Sequence, residues 1–204
     1  LFGYSVSVGG DVAVVGAFGD DCSAGVNCGS VYVYRYIQIA PVHWVEEGKL
    51  TAFDPKADDF FGYSVSVSGD VVVVGANGDD CADGLDCGAA YFFRFDGSAW
   101  VPETKLTAPE RTEGDAFGGS VSISGDVAVV GTPNEDCADG TSCGSAYVYR
   151  YSAGVWVPEM QLRASDAESV DVFGIPVSVS GTLVAVGAYG HDCSAGFDCG
   201  SAYI

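Results

Sequence analysis

The stretch VVVVGANGDDCADGLDCGAAYFFR, residues 71–94, decides the fold because it recurs along the chain. A run of four valines leads into an acidic loop between two cysteines, and an aromatic run follows the loop. Strands that are buried on both faces have continuous apolar runs, so the valines predict such a strand. Aromatic residues also favour strands. The stretch therefore predicts two neighbouring strands joined by a cysteine loop.

The landmarks of this stretch recur about every 56 residues, with three extra residues in the first unit. The repeated Phe-Gly dipeptides begin at Phe2, Phe61, Phe117 and Phe173, and the repeated tryptophans are Trp44, Trp100 and Trp156. Each unit also has an alternating GYSVSVS-type segment before the valines and a WVPETKL-type segment after the aromatic run. Tandem four-stranded units of this length predict an all-β fold, a β-propeller of antiparallel blades with one cysteine loop per blade.

The repeat divides residues 1–204 into one partial propeller domain. Its blades are expected at approximately 1–60, 61–116, 117–172 and 173–204, and the last blade is incomplete because its unit stops in the third strand. Propellers have four to eight blades. We therefore expect association with further blades or a homo-oligomer, and we interpret the sequence as a piece of a longer or processed product.

The segments FGYSVSVSGDVVVVGA (61–76) and GAAYFF (88–93) resemble the FG-GAP repeat, the unit of the integrin α-subunit head propeller. The resemblance covers the whole chain, four times over, and implies a propeller used for adhesion or recognition rather than chemistry. Integrin-like repeats hold calcium in an acidic loop between the first two strands of some blades. Here the tight turn Ser68-Gly69-Asp70 occupies that place and is too short to surround a calcium ion. That calcium site is therefore not carried over.

The cysteine loops have the form Cys-x-x-Gly-x-x-Cys, and the central glycine allows the backbone to reverse. Zinc sites use tighter cysteine pairs, and redox Cys-x-x-Cys motifs accompany a βαβ pattern that is missing here. The spacing therefore favours a disulfide within each loop: Cys22–Cys28, Cys81–Cys87, Cys137–Cys143 and Cys193–Cys199. Four disulfides require an oxidising compartment, so we expect a secreted or cell-surface protein.

The charge of the chain excludes one class of partner. Twenty-eight acidic residues against eight basic ones give a formal net charge of −20. Nucleic-acid binders need a cationic surface, so no nucleic acid is expected as a partner. No apolar run is long enough to cross a bilayer, and we expect no membrane insertion.

The acidic residues are predicted to gather on one side of the propeller. In an antiparallel meander the cysteine loops and the connectors between blades share one rim, and 20 of the 28 acids lie in these segments. A solvated rim is one explanation, and a binding surface for cations or partners is another. The candidate binding residues are Asp20, Asp21, Asp80, Asp136 and Asp192. The candidate calcium ligands are Asp79, Asp80, Asp83 and Asp86.

These features leave three functional hypotheses. The first is a non-catalytic extracellular recognition or adhesion module that presents disulfide-closed acidic loops to a protein or glycan ligand. The second is a structural subunit of an extracellular wall, sheath or filament. The third is the propeller part of a glycan-active enzyme, although the acids lie in repeated loops and no Gly-x-Ser-x-Gly or His-Glu-x-x-His motif occurs. We therefore expect no catalytic residues in this segment. The tryptophans are expected to pack between blades or to stack on sugars.

Overall fold

The computed structural model describes residues 1–41, 43–82, 84–138, 140–193 and 196–204. It contains fifteen strands in four antiparallel sheets, each in sequential strand order. The first three sheets have four strands and the fourth has three. The prediction of an all-β propeller with four blades is confirmed. Among the residues described, no helix is long and apolar enough to cross a membrane.

The sheets follow the repeat unit by unit, and we number the blades 1 to 4 in chain order. Blade 1 contains β1 (Phe2–Gly9), β2 (Val12–Ala17), β3 (Ser30–Ile37) and β4 (His43–Leu50). Blade 2 contains β5 (Ser64–Ser68), β6 (Val71–Ala76), β7 (Ala89–Phe95) and β8 (Trp100–Leu106). Blade 3 contains β9 (Ser120–Ser124), β10 (Val127–Thr132), β11 (Ser145–Ser152) and β12 (Val155–Leu162). Blade 4 contains β13 (Phe173–Ser180), β14 (Leu183–Ala188) and β15 (Ser201–Tyr203).

The valine strands are buried on both faces because each blade lies between neighbours. In β6, Val72 and Val74 belong to the core shared with blade 1, whereas Val71 and Val73 belong to the core shared with blade 3. Successive side chains of a strand point to opposite faces. One continuous apolar run therefore supplies two separate cores, and a third core joins blades 3 and 4.

The first strands pack side by side, β1 on β5, β5 on β9 and β9 on β13. Their serines form hydrogen bonds from blade to blade. The backbone N–H of Ile123 donates to Ser66 Oγ at 3.1 Å, and the N–H of Val179 donates to Ser122 Oγ at 3.0 Å. These bonds explain why small polar residues alternate with the apolar residues of the first strand.

A second set of links joins neighbouring blades at the cysteine-loop rim. The residue after each second cysteine forms a parallel β-bridge to the phenylalanine of the next Phe-Gly dipeptide, and the three bridged pairs are Gly29–Phe61, Gly88–Phe117 and Gly144–Phe173. In each pair the glycine has a positive φ, and a side chain there would collide with the phenylalanine backbone. The Phe-Gly dipeptide therefore closes the junction between two blades.

Candidate functional site

The described residues of the four cysteine loops make the same contacts. Each pair predicted from the spacing is bridged, with Cα–Cα distances of 5.7 to 5.8 Å, and no cysteine among the described residues is free. The backbone N–H of the first cysteine donates to the carbonyl of the central glycine, at 2.9 Å for Cys22 and Gly25. In the first loop, which is described throughout, the disulfide therefore closes a narrow hairpin.

Two residues directly precede the first cysteine of each loop, and the second of these two braces the loop. The carboxylates of Asp21, Asp80, Asp136 and Asp192 each accept a hydrogen bond from the backbone N–H six residues further on, at 2.9 to 3.3 Å. The residue that donates this bond has a positive φ of 52 to 53° in every loop. Asp21, Asp136 and Asp192 are nevertheless exposed to solvent. These predicted rim residues therefore have a structural role and also present negative charge.

In blades 2 and 3, the first of the two residues before the cysteine has its side chain turned inward instead. Asp79 is buried and accepts hydrogen bonds from Tyr91 Oη at 2.9 Å and Lys105 Nζ at 2.7 Å, with Arg111 at 3.4 Å. Glu135 is buried in the same way beside Tyr147 and Arg163. These acids are neutralised inside the blade and do not face a ligand on the rim.

Asp20 occupies this inward position in blade 1 and is only half-buried. It accepts hydrogen bonds from Ser30 Oγ at 2.6 Å and Lys49 Nζ at 2.9 Å. The bond from Ser30 is the strongest influence and lowers the pKa of the Asp20 carboxyl. Asp20 therefore stays ionised, but the ion pair with Lys49 offsets much of its negative charge.

The structure divides the candidate calcium ligands. Asp79 points into the blade, whereas Asp80 and Asp86 lie on the loop surface and are joined by the bracing hydrogen bond. Asp83 lies outside the described residues. Within the part of the chain that is described, no group of three or more His, Cys, Asp or Glu side chains is arranged to hold a metal ion. Calcium binding remains a prediction from the sequence.

The connectors contribute three buried aspartates that sequence reasoning assigned to the exposed rim. Asp59, Asp115 and Asp171 are almost completely buried, and each accepts a hydrogen bond from the backbone N–H three residues earlier at 2.6 to 2.7 Å. Burial raises the pKa of Asp59 to about 6, and the nearby Asp79 carboxylate adds to the rise. The rim is therefore less acidic at its surface than the residue count predicts.

An aromatic cluster lies where blades 1 and 2 meet, and the sequence analysis did not identify it. The rings of Tyr4 and Phe18 are 4.8 Å apart, Phe18 is 5.9 Å from Phe60, and Tyr4 is 5.1 Å from Tyr63. The hydroxyl groups of Tyr4 and Tyr63 form a hydrogen bond at 3.3 Å, and this contact is the main cause that raises the pKa of Tyr63 to about 12. Tyr4 is 57% exposed, so the cluster offers ring surface to solvent.

A polar cavity of about 280 Å³ adjoins this cluster through Phe60. Its walls include Asn77, Asp86 and Asn134. The Asn77 side-chain oxygen is buried and has no hydrogen-bond partner, and burial raises the pKa of the Asp86 carboxyl. The cavity therefore combines an aromatic ring with amide and carboxyl groups, a set that can accept and donate hydrogen bonds to a polar ligand.

Two of the three repeated tryptophans pack between blades. Trp100 Nε1 of blade 2 donates to Glu47 Oε2 of blade 1 at 2.8 Å, and the Trp156 ring of blade 3 lies 4.7 Å from the Phe92 ring of blade 2. Trp44 of blade 1 contacts Tyr36 of its own blade and is 45% exposed.

This geometry defines the class of protein as a β-propeller with one disulfide-closed loop on each blade. Comparison with protein families then places it more narrowly, because residues 1–34, 44–93, 100–149 and 156–204 match the family model of the FG-GAP repeat. The chain therefore belongs to the FG-GAP repeat family. None of the curated proteins compared with the chain matches it.

The family matches also show how the repeat relates to the blades. The second match, 44–93, begins in β4 of blade 1 and ends in β7 of blade 2, and the later matches are offset in the same way. One family repeat thus spans two sheets. An FG-GAP propeller with several disulfides suggests an extracellular, adhesion-like module.

Proposed function

We propose that this propeller is a non-catalytic extracellular recognition module that binds its ligand at the cysteine-loop rim. The observation that carries the proposal is the aromatic cluster of Tyr4, Phe18, Phe60 and Tyr63 beside the polar cavity of Asn77, Asp86 and Asn134. Exposed aromatic rings next to convergent polar groups are typical of ligand-binding surfaces.

The rigidity of the rim supports this role. Each loop is held by its disulfide and by the bracing carboxylate, and the first three loops also form backbone hydrogen bonds to the next connector, such as the bond from Gly114 N–H to the Leu85 carbonyl at 2.9 Å. A surface that is already ordered loses little conformational entropy on binding. Rigid scaffolds that present loops are common binding devices.

The chemistry of the cavity favours a glycan over a basic protein as the ligand. Aromatic rings can pack on the apolar faces of sugars, and amide and carboxyl groups can pair with sugar hydroxyls. A basic protein would instead depend on the exposed carboxylates of Asp21, Asp136 and Asp192. Two sets of variants separate these ligands.

An array of immobilised glycans and a panel of lysine-rich peptides provide the probes. We expect glycan binding that falls at least about tenfold in Tyr4→Ala. The triple variant Asp21→Asn, Asp136→Asn, Asp192→Asn keeps an oxygen for each bracing hydrogen bond and removes three charges. It should weaken only the binding of basic peptides, because charged contacts dominate there.

A matched control carries the same charge change away from the rim, as Asp70→Asn, Asp96→Asn and Asp126→Asn in turns at the other ends of the sheets. This control should bind both probes like the parent. Equal binding of glycans by Tyr4→Ala and the parent, or no glycan binding by the folded parent, contradicts the proposal.

A further inference from the structure

The connector into blade 2 and the connector into blade 3 differ at two equivalent positions. Both connectors follow the residues Leu-Thr-Ala at the end of a fourth strand. The first then continues with Phe53 and Asp54, and the second continues with Pro109 and Glu110. The connector into blade 3 therefore keeps an acidic side chain but has no aromatic ring beside it.

In blade 2 an aromatic ring and a cation cover the buried Tyr91. The rings of Phe53 and Tyr91 lie 5.2 Å apart, edge to face. Lys105 Nζ lies 5.0 Å from the centre of the Tyr91 ring and pairs with Asp54 Oδ2 at 2.7 Å. Phenyl ring, ammonium group and carboxylate thus form one compact site over this tyrosine, which is fully buried.

In blade 3 a cavity of about 290 Å³ lies beside the equivalent tyrosine, Tyr147. Pro109 stands at the repeat position of Phe53 and has no aromatic ring. Gln161 stands at the repeat position of Lys105 and has no charge. Blade 3 therefore lacks both groups that cover the tyrosine of blade 2. The walls of the cavity include Pro109, Glu110, Tyr147, Pro158, Met160 and Gln161.

The cavity belongs to the junction of two blades that each have four strands. Tyr147 is part of the core shared by blades 2 and 3, and the connector that carries Pro109 and Glu110 runs between them. The cavity shares no lining residue with the polar cavity of Asn77 and Asn134. It is therefore a second site, separate from the one proposed for glycans.

The carboxylate at the mouth of this cavity is available to a ligand. Glu110 is exposed, and no ion pair joins it to another residue that the structure describes. The neighbouring cation in the chain, Arg111, pairs with Asp79. The second acid of the cavity wall, Glu159, pairs with Arg150 at 2.9 Å. Glu110 therefore has the position of Asp54 without the cation that Asp54 has.

We propose that this cavity binds a small molecule that has one aromatic ring and a protonated amine on a short chain. The ring packs on Tyr147 as the ring of Phe53 packs on Tyr91, and the amine pairs with Glu110. Edge-to-face ring contacts and contacts between a cation and a ring both stabilise such a complex. The cavity is at the small end of ligand pockets, which suits a ligand with a single ring. The inference goes beyond glycan binding and does not depend on it.

Three related ligands test the two contacts without any change in the protein. Phenethylamine is titrated against the 204-residue protein and followed by saturation-transfer difference NMR. We expect saturable binding, and at least about tenfold weaker binding of phenethyl alcohol, which has no charge, and of butylamine, which has no ring. Butylamine also measures the general attraction of amines to a chain with a net charge of −20.

Two variants test the location. The double variant Pro109→Phe, Gln161→Lys gives blade 3 the residues that blade 2 has at these positions, so it should fold and lose phenethylamine binding because its own ring and cation fill the site. Glu110→Gln should weaken phenethylamine binding by about threefold, as expected for an exposed ion pair, and leave phenethyl alcohol binding unchanged. Glu113→Gln, at an exposed position of the same connector, is the matched control and should bind like the parent.

Four results would overturn the proposal. They are no binding of phenethylamine by the folded parent, equal affinity for phenethylamine and butylamine, unchanged binding in the folded double variant, and equal weakening by Glu110→Gln and Glu113→Gln. If the double variant does not fold, the exposed Glu110→Gln variant still tests the location. Tyr4→Ala should bind phenethylamine like the parent, so a failure here is distinct from a failure of glycan binding.

Discussion

The two inner blades and the two outer blades contain the same strands in different surroundings. In blades 2 and 3 the valine strands β6 and β10 are buried at every residue. In blade 1 the strand β2 has two half-buried residues, and in blade 4 the strand β14 begins exposed. The motif specifies a strand that can be buried on both faces, but only a neighbouring blade on each side completes the burial. Variants at equivalent positions of inner and outer blades measure how much stability these neighbours contribute.

The largest difference in stability between inner and outer blades is expected for the phenylalanine of the Phe-Gly dipeptide. Phe117 is fully buried between blades 2 and 3, whereas Phe2, at the same repeat position in blade 1, is 61% exposed. Phe117→Ala should lower the free energy of unfolding by about 3 to 5 kcal/mol, and Phe2→Ala by less than about 1 kcal/mol. Urea unfolding followed by circular dichroism measures both. Similar losses for the two variants would mean that neighbouring blades add little to burial.

The next largest difference in stability is expected for the glycine just before the last residue of each valine strand. A Cβ on Gly75 would collide with the Gly118 carbonyl of blade 3, so the two blades would have to separate. At Gly187 of blade 4 the nearest atoms belong to Ile175 and Pro176 of the same sheet. We expect a loss of about 2 to 3 kcal/mol for Gly75→Ala and a clearly smaller loss for Gly187→Ala in the same urea experiment. The reverse order would contradict the blade-to-blade contact.

The effect of removing a disulfide should differ between the inner and the outer loops. Closing a loop of this length contributes about 2 kcal/mol through the entropy of the unfolded chain. The second loop is also hydrogen-bonded to the next connector through the Leu85 and Asp86 carbonyls. The double variant Cys81→Ala, Cys87→Ala should therefore lose about 2 kcal/mol but keep the loop ordered.

The matched variant Cys193→Ala, Cys199→Ala alters the fourth loop, where Phe197 is exposed. Chymotrypsin should cleave this variant at Phe197 much faster than the parent, while the variant of the second loop resists cleavage at Leu85. Equal resistance of the two variants would show that the connector does not support the inner loop.

The smallest contrast is a pH effect at the connector aspartates. The folded protein holds the Asp59 proton up to about pH 6, but the unfolded chain releases it near the ordinary value of 3.8. The contribution of this group to stability is therefore lost as the pH rises from about 4 to 6. Asp59→Asn should gain on the order of 1 kcal/mol at pH 8 and little at pH 4, because the lost charged hydrogen bond from Lys56 offsets part of the gain.

The equivalent residue of blade 4 should respond in the opposite sense. Asp171 faces His191, and their hydrogen bond is the main cause that raises the pKa of His191. This pairing stabilises the fold at low pH and is lost as the pH rises through the folded pKa of the histidine. Asp171→Asn should therefore lower the melting temperature at pH 5 more than at pH 8. Thermal melts of both variants from pH 4 to 8 make the comparison, and parallel pH profiles would contradict it.

The sequence predicted the features that repeat. The strands, the Phe-Gly junctions and the disulfide pairs all follow from residues that recur in register, and the period-2 alternation of a strand explains why four valines serve two cores. The pairing of an acid with a tyrosine twelve residues later, as in Asp79 and Tyr91, was also visible in the register but was not used.

The sequence did not predict which acids face solvent. Asp79 and Asp80 are adjacent, yet one is buried and the other is partly exposed, because the turn into the cysteine loop points successive side chains to opposite sides. The aromatic cluster was missed for a different reason. Phe18 and Phe60 stand at positions that hold other residue types in later units, so nothing in the repeat marks them.

The parallel bridges at the rim have a mechanical consequence. Each bridge joins a cysteine loop to the Phe-Gly dipeptide of the following blade, as Gly88 joins Phe117. The disulfide prevents the loop from extending when it is pulled. Tension applied to a bound loop is therefore transmitted sideways into the adjacent sheet. The force is therefore shared among neighbouring blades and does not separate a single hairpin from its own blade.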